Sequence, residues 1–267
     1  MTHKQNMISL KRTLRRIAWR AGFDVVRLRR DNIEIGVDPL ADMRRFLGDQ
    51  KKPVILDVGA NVGQSVERFS REFPGSLIHS FEPSPTTYQK LLETCKGFPS
   101  VKTWNCGIGS EEATLAFQEN KHPDMSSFLA PGAASWGEIV KTTEVRVTTL
   151  DAFSCEQGLD FIHILKSDTQ GYDFEVFKGA SRLMDENKIA LIYFEFIFSD
   201  MYQNLPTFDE VFRYLTGKGF DLVTFYESHF QDEVVGWTDC LFINREFRLR
   251  RKGGSPPVST CSGLGQA

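Results

Sequence analysis

Short apolar segments alternate with amphipathic segments along most of this chain. The apolar segments have the length of β-strands, and the segments between them have the length and periodicity of helices. This alternation predicts an α/β fold in which helices cover both faces of a doubly wound, mostly parallel seven-stranded sheet. Strands are expected at 53–58, 76–82, 100–106, 161–166, 189–196, 220–226 and 239–244. Helices are expected at 39–47, 62–72, 84–95, from about 173, and at 207–217.

The region 113–149 breaks the alternation. Ala113–Phe117 and Glu144–Leu150 have the composition of β-strands, and they flank a loop at 120–137 that contains Gly, Ser and Pro residues. The pattern predicts a β insertion after the third strand. Such an insertion either covers a binding site or forms a surface hairpin, and the sequence does not distinguish these two structures.

The net charge of −3 conceals a strong segregation of charge along the 267 residues. Residues 1–30 contain nine Lys and Arg but one acid, whereas residues 31–247 contain 19 Lys and Arg and 34 acids. We therefore predict a basic amphipathic arm at 1–37, an acidic domain at 38–247, and a disordered tail at 248–267 that is basic and then Gly/Ser/Pro-rich. An acidic domain surface is not expected to bind nucleic acid.

The location of the protein is predicted from its cysteines and its N-terminal region. Five cysteines occur without a C-x-x-C pair, which is typical of reduced thiols in a cytoplasmic protein. No apolar stretch near the start resembles a signal peptide. In the arm, Met7, Leu10, Leu14, Ile17 and Ala21 recur at helical spacing among basic residues. This stripe either packs on the domain, contacts an acidic partner, or makes a weak peripheral contact with the inner face of the membrane.

The segment 54–65 carries the most specific chemical signal. An apolar strand runs into a turn that contains Gly59 and Gly63, and a helix is expected to follow. A glycine turn allows the backbone and a helix N-terminus to approach a ligand closely. Nineteen residues after Gly63 the next strand ends at Glu82, the position at which a carboxylate reaches the hydroxyls of a bound ribose. The two segments predict a nucleoside-containing cofactor.

The composition of the turn favours one such cofactor. A dinucleotide site requires a middle glycine that admits the pyrophosphate, and this glycine is missing here. Asp57 stands at the end of the strand, where a carboxylate would repel a pyrophosphate but suits an amino acid or a sulfonium cation. S-adenosylmethionine is therefore preferred over NAD. Carboxylates also end two later strands, at Asp168 and Glu195, and the C-terminal ends of strands are where open α/β sheets bind ligands.

The same residues carry a family resemblance. The chain resembles the FkbM family of S-adenosylmethionine-dependent methyltransferases, which have the Rossmann-like class I methyltransferase fold. The resemblance runs from about Val54 to Ile243. The matching segments are DVGANVGQS at 57–65, FEPSP at 81–85, NCGIGS at 105–110, SS at 126–127, VTTLDAF at 147–153, ILKSDTQGYDFEVFKGA at 164–180 and FEF at 194–196.

The resemblance implies a set of cofactor contacts. Asp57, Gly59, Asn61 and Gly63 would hold the methionine portion, Glu82 the ribose, and Asn105 and Cys106 would border the adenine. Ala60, Pro83 and Asp168 complete the predicted cofactor site. Around Asp168 the family more often has Ile and Val or Glu-Gly, where this chain has Ser167, Thr169 and Gln170, so its substrate contacts are expected to differ from those of the family. Family members methylate hydroxyls of sugars and polyketide-like natural products, so the implied acceptor is a hydroxyl of a small molecule or glycan.

Two catalytic arrangements are compatible with these residues. In one, Asp168 and Glu195, on strands that we expect to be neighbours, bind Mg²⁺, which lowers the pKa of the acceptor hydroxyl. In the other, Asp168 faces the cofactor and a loop histidine, His229 or His122, accepts the proton. We prefer the arrangement without a metal, because two acids are few for a hard cation. Trp136 and Trp237, in predicted loops, either pack or stack on a sugar face.

Two further classes of function are compatible with the sequence. An NAD-dependent oxidoreductase would need the missing glycine. A nonenzymatic domain that keeps the cofactor pocket as a scaffold would bind the cofactor without releasing S-adenosylhomocysteine. The sequence predicts neither the identity of the acceptor nor the oligomeric state.

The basic arm generates a first prediction. If residues 7–20 contact anionic lipid through their apolar stripe and basic faces, the protein will sediment with anionic liposomes and less with neutral ones. Equal recovery with both kinds of vesicle would contradict membrane contact and leave only a packing role for the arm.

Overall fold

A computed structural model describes residues 33–251 of the chain. The predicted arm at 1–37 and the predicted tail therefore lie mostly outside the described residues. The compact unit that begins at Ile35 contains the elements that follow. Its strands are β1 (Val54–Val58), β2 (Leu77–Phe81), β3 (Val101–Trp104), β4 (Gly107–Ile108), β5 (Ala113–Asn120), β6 (Ile139–Thr148), β7 (Ile162–Ser167), β8 (Ile189–Ile197), β9 (Phe220–Gln231) and β10 (Val234–Asn244). Its α-helices are α1 (Pro39–Leu47), α2 (Gln64–Glu72), α3 (Pro85–Cys95), α4 (Leu150–Glu156), α5 (Asp173–Lys178), α6 (Ser181–Asp185), α7 (Phe208–Gly217) and α8 (Arg245–Arg251).

Seven strands form the main sheet in the order β3-β2-β1-β7-β8-β10-β9. The pairs among the first five strands of this order are parallel, whereas β10 runs antiparallel to both β8 and β9. The doubly wound, mostly parallel seven-stranded sheet predicted from the sequence is confirmed. The chain builds outward from β1 to β3 on one side and resumes at β7 on the other. The reversal of strand order between β1 and β7 opens a crevice at their C-terminal ends, where sheets of this type bind ligands.

Both faces of the central strands are buried. Along β1, Ile55 packs into one hydrophobic cluster with Ile78 and Ile164, while Leu56 packs into another with Leu165. Successive side chains of a strand point to opposite faces, so a strand covered on both sides must be apolar at nearly every position. This requirement explains why the central strands appear in the sequence as continuous apolar runs.

Local side-chain bonds set the starts of two predicted helices. Helix α3 begins after Ser84, whose side chain accepts a hydrogen bond from the Thr87 N–H, and Pro85 occupies the first turn. Helix α7 begins with a capping box between Thr207 and Glu210. These bonds satisfy N–H groups that have no partner within the helix. The predicted cap at Ser84-Pro85 is confirmed.

The predicted β insertion is also confirmed, with longer strands than the sequence indicated. It forms a three-stranded sheet in the order β4-β6-β5. Its loop is fastened to the rest of the domain by backbone hydrogen bonds from the Gly132 N–H to the Met201 carbonyl (2.9 Å) and from the Gln203 N–H to the Ala130 carbonyl (2.8 Å). The insertion is therefore attached to the segment that follows β8 and does not stand free as a surface hairpin.

The last two strands differ from the prediction. They form one long hairpin joined at Asp232 and Glu233, so the loop predicted around His229 is wrong and His229 lies within β9. Both turn residues have positive φ (49° and 67°), which a two-residue hairpin turn requires. Asp-Glu is not a typical sequence for such a turn, so the local sequence does not indicate this hairpin. Helix α8 also runs to Arg251, beyond the domain boundary predicted at 247.

Within residues 33–251, none of the helices combines the length and the apolar character needed to cross a membrane.

Candidate active site

The four predicted strand-end carboxylates gather at the crevice between β1 and β7. Asp57 lies in β1, Glu82 follows β2, Asp168 follows β7, and Glu195 lies near the end of β8. Strands β7 and β8 are parallel neighbours, as expected. Three of the four side chains, those of Asp57, Asp168 and Glu195, are connected through Lys166 and Gln170, which the sequence did not indicate as contacts of the site.

Lys166 is the buried cation of the site. Its Nζ lies 3.2 Å from Asp57 Oδ1 and 3.6 Å from Asp168 Oδ2. It also donates a hydrogen bond to the Gly59 carbonyl at 2.9 Å. Burial alone would lower the pKa of Lys166, but the Asp57 and Asp168 carboxylates raise it above its ordinary value. Lys166 therefore stays charged and ties the end of β7 to the glycine turn after β1.

Asp57 is fully buried, and its side chain contacts other residues of the protein interior. Its Oδ2 accepts hydrogen bonds from the hydroxyls of Ser65 (2.6 Å) and Ser80 (3.3 Å), and its Oδ1 faces Lys166. Asp57 lines neither of the two clefts described below. The structure thus places the predicted cofactor contact beneath the turn, where it anchors Lys166 and the first turn of helix α2.

The glycine turn is shaped by packing between strands. Gly59 has φ of +73°, and a Cβ atom there would lie 1.9 Å from the carbonyl oxygen of Asp168. The N–H groups of Gly59 and Ala60 both donate to the Phe81 carbonyl, at 3.1 and 2.9 Å. Gly59 is required because the backbone after β7 passes directly against it. Gly63 ends the turn and immediately precedes helix α2.

Glu82 is buried at the other side of the turn. Its Oε2 accepts a hydrogen bond from the Asn61 N–H (3.0 Å) and its Oε1 accepts one from the Ser84 N–H (2.8 Å). Burial raises the pKa of Glu82 to about 7, against the lowering effect of these two donors. Asn105 donates to the carbonyls of Glu82 (2.8 Å) and Pro83 (3.1 Å). The Asn105 amide thus holds the Glu82-Pro83 backbone in place.

A first cleft of about 600 Å³, partly open to solvent, lies over the ends of β1 and β2. One end is polar and the other is apolar, with Phe128 of the insertion as a wall. Gly107 packs against this ring so closely that a Cβ atom would lie 2.5 Å from it. Burial raises the pKa of the Cys106 thiol to about 11, so this cysteine contributes a neutral surface. The lining comprises Val58, Gly59, Asn61, Phe81, Glu82, Pro83, Cys106, Gly107, Ile108, Phe117, Pro123, Asp124, Phe128, Asp168, Thr169 and Gln170.

A second cleft of about 960 Å³, also partly open to solvent, adjoins the first. The two share Gly59, Asn61, Asp124 and Asp168 in their linings. The second cleft is rich in charged and polar side chains, among them Gln64, Arg68, Lys166, Tyr193, Glu195 and Asp239. Asp168 therefore stands where the two clefts meet, with 43% of its side chain exposed.

Gln170 connects the carboxylates at this junction. Its Nε2 donates to Asp168 Oδ1 and to Glu195 Oε1, both at 3.1 Å. Its Oε1 accepts from the Tyr202 hydroxyl at 3.0 Å, and its carbonyl accepts from the Ser127 hydroxyl of the insertion at 2.8 Å. Gln170 has φ of 54°, a left-handed conformation that this set of bonds holds in place.

Glu195 has the most strongly altered environment of the carboxylates in the second cleft. Burial, together with the nearby charges of Asp168 and Asp239, raises the pKa of Glu195 well above its ordinary value. Asp239 lies directly opposite Glu195 on β10 and accepts a hydrogen bond from the Tyr193 hydroxyl at 2.5 Å. A carboxylate with a raised pKa, close to a second one, is a typical arrangement for acid–base chemistry.

The two candidate histidines are not part of the lining of either cleft. His229 is exposed in β9 and stacks on Trp237 at a ring-centroid distance of 5.2 Å, and His122 is exposed before Pro123. Neither lines either cleft. In residues 33–251, no group of three or more His, Cys, Asp or Glu side chains is arranged to hold a metal ion.

Several residues of the site could not be assigned to it from the sequence pattern. Lys166 carries one detectable signal, because it is a charged residue in an otherwise apolar strand segment and a buried charge requires a partner. Arg68, Asp124 and Asp239 come from a helix, an insertion and an antiparallel strand. No local pattern distinguishes them from surface residues.

Comparison with known proteins supplies a family. The Methyltransferase FkbM domain matches residues 57–222. The chain is similar to 2-O-methyltransferase NoeI of Sinorhizobium fredii, with 23% identity over 190 residues that cover 63% of this chain and 77% of the relative. It is also similar to 31-O-demethyl-FK506 methyltransferase FkbM of Streptomyces tacrolimicus, with 23% identity over 47% of this chain and 58% of the relative. Among solved structures, an rRNA methylase from Streptococcus thermophilus has a TM-score of 0.45 at 10% identity, covering 79% of this chain and 99% of that one.

The environment of Lys166 leads to a prediction about stability. Lys166→Met leaves Asp57 buried without its cation and should lower the free energy of unfolding by about 3–5 kcal/mol. The Asp57→Asn/Lys166→Met double variant removes both charges and should be more stable than the sum of the two single losses implies. Urea denaturation of the wild type and the three variants measures the coupling. Strictly additive losses would contradict the ion pair.

Proposed function

Because the chain belongs to the FkbM family of methyltransferases, whose methyl donor is S-adenosylmethionine, we propose that it methylates a hydroxyl of a small-molecule or glycan acceptor. The observation that carries this proposal is the meeting of two clefts at Asp168, one with a nucleoside-type lining and one lined by carboxylates. The name of one relative, a 2-O-methyltransferase, supports oxygen as the acceptor atom.

The residues of the first cleft fit the donor. Glu82 lies at the polar end, and each of its oxygens has further lone pairs that can accept hydrogen bonds from ribose hydroxyls. Phe81, Cys106, Ile108, Phe117 and Phe128 offer an apolar surface for an adenine. We propose Gly59, Ala60, Asn61 and Asp168 as the surroundings of the methionine portion. Asp57 would act on it only from beneath the turn, through Lys166 and the fold of the backbone.

The hydrogen bonds of the turn also argue against a dinucleotide. In a dinucleotide site the turn offers backbone N–H groups to a pyrophosphate. Here the Gly59 and Ala60 N–H groups donate to Phe81, and the Asn61 N–H donates to Glu82. The Gly63 N–H donates to the Ala60 carbonyl at 2.9 Å. The turn therefore has these four donors already engaged.

We propose that the acceptor occupies the second cleft and that Glu195 accepts its hydroxyl proton. Bound S-adenosylmethionine supplies an electrophilic methyl group, and an alcohol attacks such a group well only while its proton is being removed. Asp168 is 43% exposed where the two clefts meet and lies 3.6 Å from Lys166 Nζ, so Asp168 is the better orienting group. Burial favours the neutral form of Glu195, so its carboxylate is the stronger base. Gln170 holds the two at a fixed separation.

This assignment replaces the histidine bases considered from the sequence, since His229 and His122 line neither cleft. The alternative in which Asp168 and Glu195 hold Mg²⁺ is decided by experiment. Loss of turnover in EDTA that Mg²⁺ restores would support the metal and contradict Glu195 as a free base.

Glu82 generates a prediction that separates binding from stability. Glu82→Gln should weaken the binding of S-adenosylhomocysteine about tenfold or more, because it removes charge-assisted acceptors for the ribose. The raised pKa of Glu82 stabilises the folded state at low pH, and this stability is lost as the pH rises from 4.5 towards 7. Without ligand, Glu82→Gln should therefore become more stable relative to the wild type as the pH rises from 5 to 8.

Thermal melts at both pH values, with and without S-adenosylhomocysteine or NAD, test this prediction. Glu93→Gln, which removes an exposed carboxylate on α3, is the control and should change neither result. A wild-type melting temperature that rises with NAD and not with S-adenosylhomocysteine would contradict the methyltransferase assignment.

Glu195 and Asp168 generate a kinetic prediction. Glu195→Gln should lower kcat/KM by about 10²–10⁴-fold and remove the rise of kcat/KM with pH that ionisation of Glu195 produces. Asp168→Asn should strongly reduce turnover and change the free energy of unfolding only slightly. The rise of kcat/KM with pH should remain in this variant. Release of S-adenosylhomocysteine with a panel of methyl glycosides and hydroxylated polyketides measures both. A Glu195→Gln variant with the wild-type pH profile would show that another group accepts the proton.

A further inference from the structure

An aromatic group stands beside the second cleft and has no part in the chemistry described above. It consists of Trp136 from the insertion, His229 from β9 and Trp237 from β10. The rings of Trp136 and Trp237 lie 5.8 Å apart, and His229 stacks on Trp237 at 5.2 Å with an interplanar angle of 16°. His229 is exposed, and Trp136 is 39% exposed. This aromatic group therefore presents ring surface to solvent.

The aromatic group is continuous with the second cleft. Across β8 and β10, Asp239 pairs with Glu195 and Trp237 pairs with Ile197, without a register shift. Trp237 thus lies on the same face of β10 as Asp239, two residues before it and about 7 Å away along the strand. His229 lies opposite Trp237 on β9 and extends this face by one strand.

The insertion holds the aromatic group in place. Gln231 donates to the Ala134 carbonyl at 3.0 Å, and Asn120 donates to the Trp136 carbonyl at 3.1 Å. Trp237 packs on a small apolar cluster that includes Met125 of the insertion. The neighbouring residue, Asp124, lines both clefts. The insertion therefore fixes the aromatic surface and also lines the clefts, so this surface is preorganised for binding.

The chemistry of this face identifies an occupant. Asp124, Asp168, Glu195 and Asp239 in the cleft are acceptors for several hydroxyl groups at once. An apolar acceptor would remove these carboxylates from water without giving them partners, which costs free energy. A sugar satisfies both regions, because its hydroxyls donate to carboxylates and the C–H face of its ring buries apolar surface against an aromatic ring.

We propose that the aromatic group of Trp136, His229 and Trp237 is a second sugar subsite, and that the acceptor is an oligosaccharide. One ring of the acceptor lies in the second cleft for methylation, and the adjacent ring stacks on the aromatic group. This inference rests on the proposed methyltransferase function and specifies the acceptor class for that site.

The test uses the full chain saturated with S-adenosylhomocysteine and applied to a microarray of defined mono- and oligosaccharides. The wild type should retain oligosaccharides in preference to the corresponding monosaccharides. Trp136→Ala and His229→Ala should each reduce oligosaccharide retention at least tenfold, and Trp136→Phe should restore much of it. Retention of oligosaccharides that is equal in the wild type and both alanine variants would overturn the proposal, as would a wild type that retains no glycan.

Phe225→Ala is the matched control. Phe225 lies in β9 and is 37% exposed, close to the exposure of Trp136. Its ring packs on Phe208, which packs on Phe196, and Phe196 points to the opposite face of β8 from its neighbour Glu195. The control removes a comparable ring from the other face of the sheet and should leave glycan retention unchanged.

Calorimetric titration of S-adenosylhomocysteine into each protein separates the two proposals. The variants should bind it with wild-type affinity, since the aromatic group lies outside the first cleft. Absence of binding to the wild type would overturn the proposed function itself. Normal binding to the wild type together with no glycan retention would overturn only the sugar subsite.

Discussion

The contact of the buried Lys166 side chain with Asp57 and Asp168 is the interaction on which the site depends. It joins β1 and β7, the two strands between which the strand order reverses, and it also bonds the carbonyl of Gly59 in the turn. A cation in this position is stable only because two carboxylates and a carbonyl replace its water. The same contact therefore holds the crevice in shape and positions Asp168 where the two clefts meet.

Around this contact the site divides into regions with different electrostatics. Glu82 and Glu195 are both carboxylates whose pKa is raised by burial, but they lie on opposite sides of Asp168. Glu82 is held by two backbone N–H groups, which suits a fixed acceptor of hydrogen bonds. Glu195 is held by the single amide of Gln170 and faces Asp239, which suits a group that takes up a proton. Burial raises the pKa of both carboxylates. Their proposed roles differ because their hydrogen-bond partners and neighbouring charges differ.

The insertion contacts both clefts and the last hairpin. Through Ser127 it bonds the carbonyl of Gln170, through Phe128 it covers Gly107, and through Trp136 it reaches the last hairpin. Three separate parts of the domain thus contact one loop of 18 residues, 121–138, between β5 and β6. A change in this loop would alter both clefts and the aromatic group together, while the parallel strands beneath would stay as they are.

The sequence by itself determined the parallel sheet, the insertion, the glycine turn and the family, because these depend on local periodicity and on motifs of fixed spacing. It also indicated Glu82, Asp168 and Glu195, since strand ends can be read from apolar runs. Only the tertiary structure decided that Asp57 faces inward to Lys166 and that His229 lies in a strand beside Trp237. It also decided that Asp239 lies directly opposite Glu195 on the neighbouring strand. The physical reason is that burial, pairing across antiparallel strands and the path of the insertion arise from contacts between residues distant in sequence, and no local pattern records them.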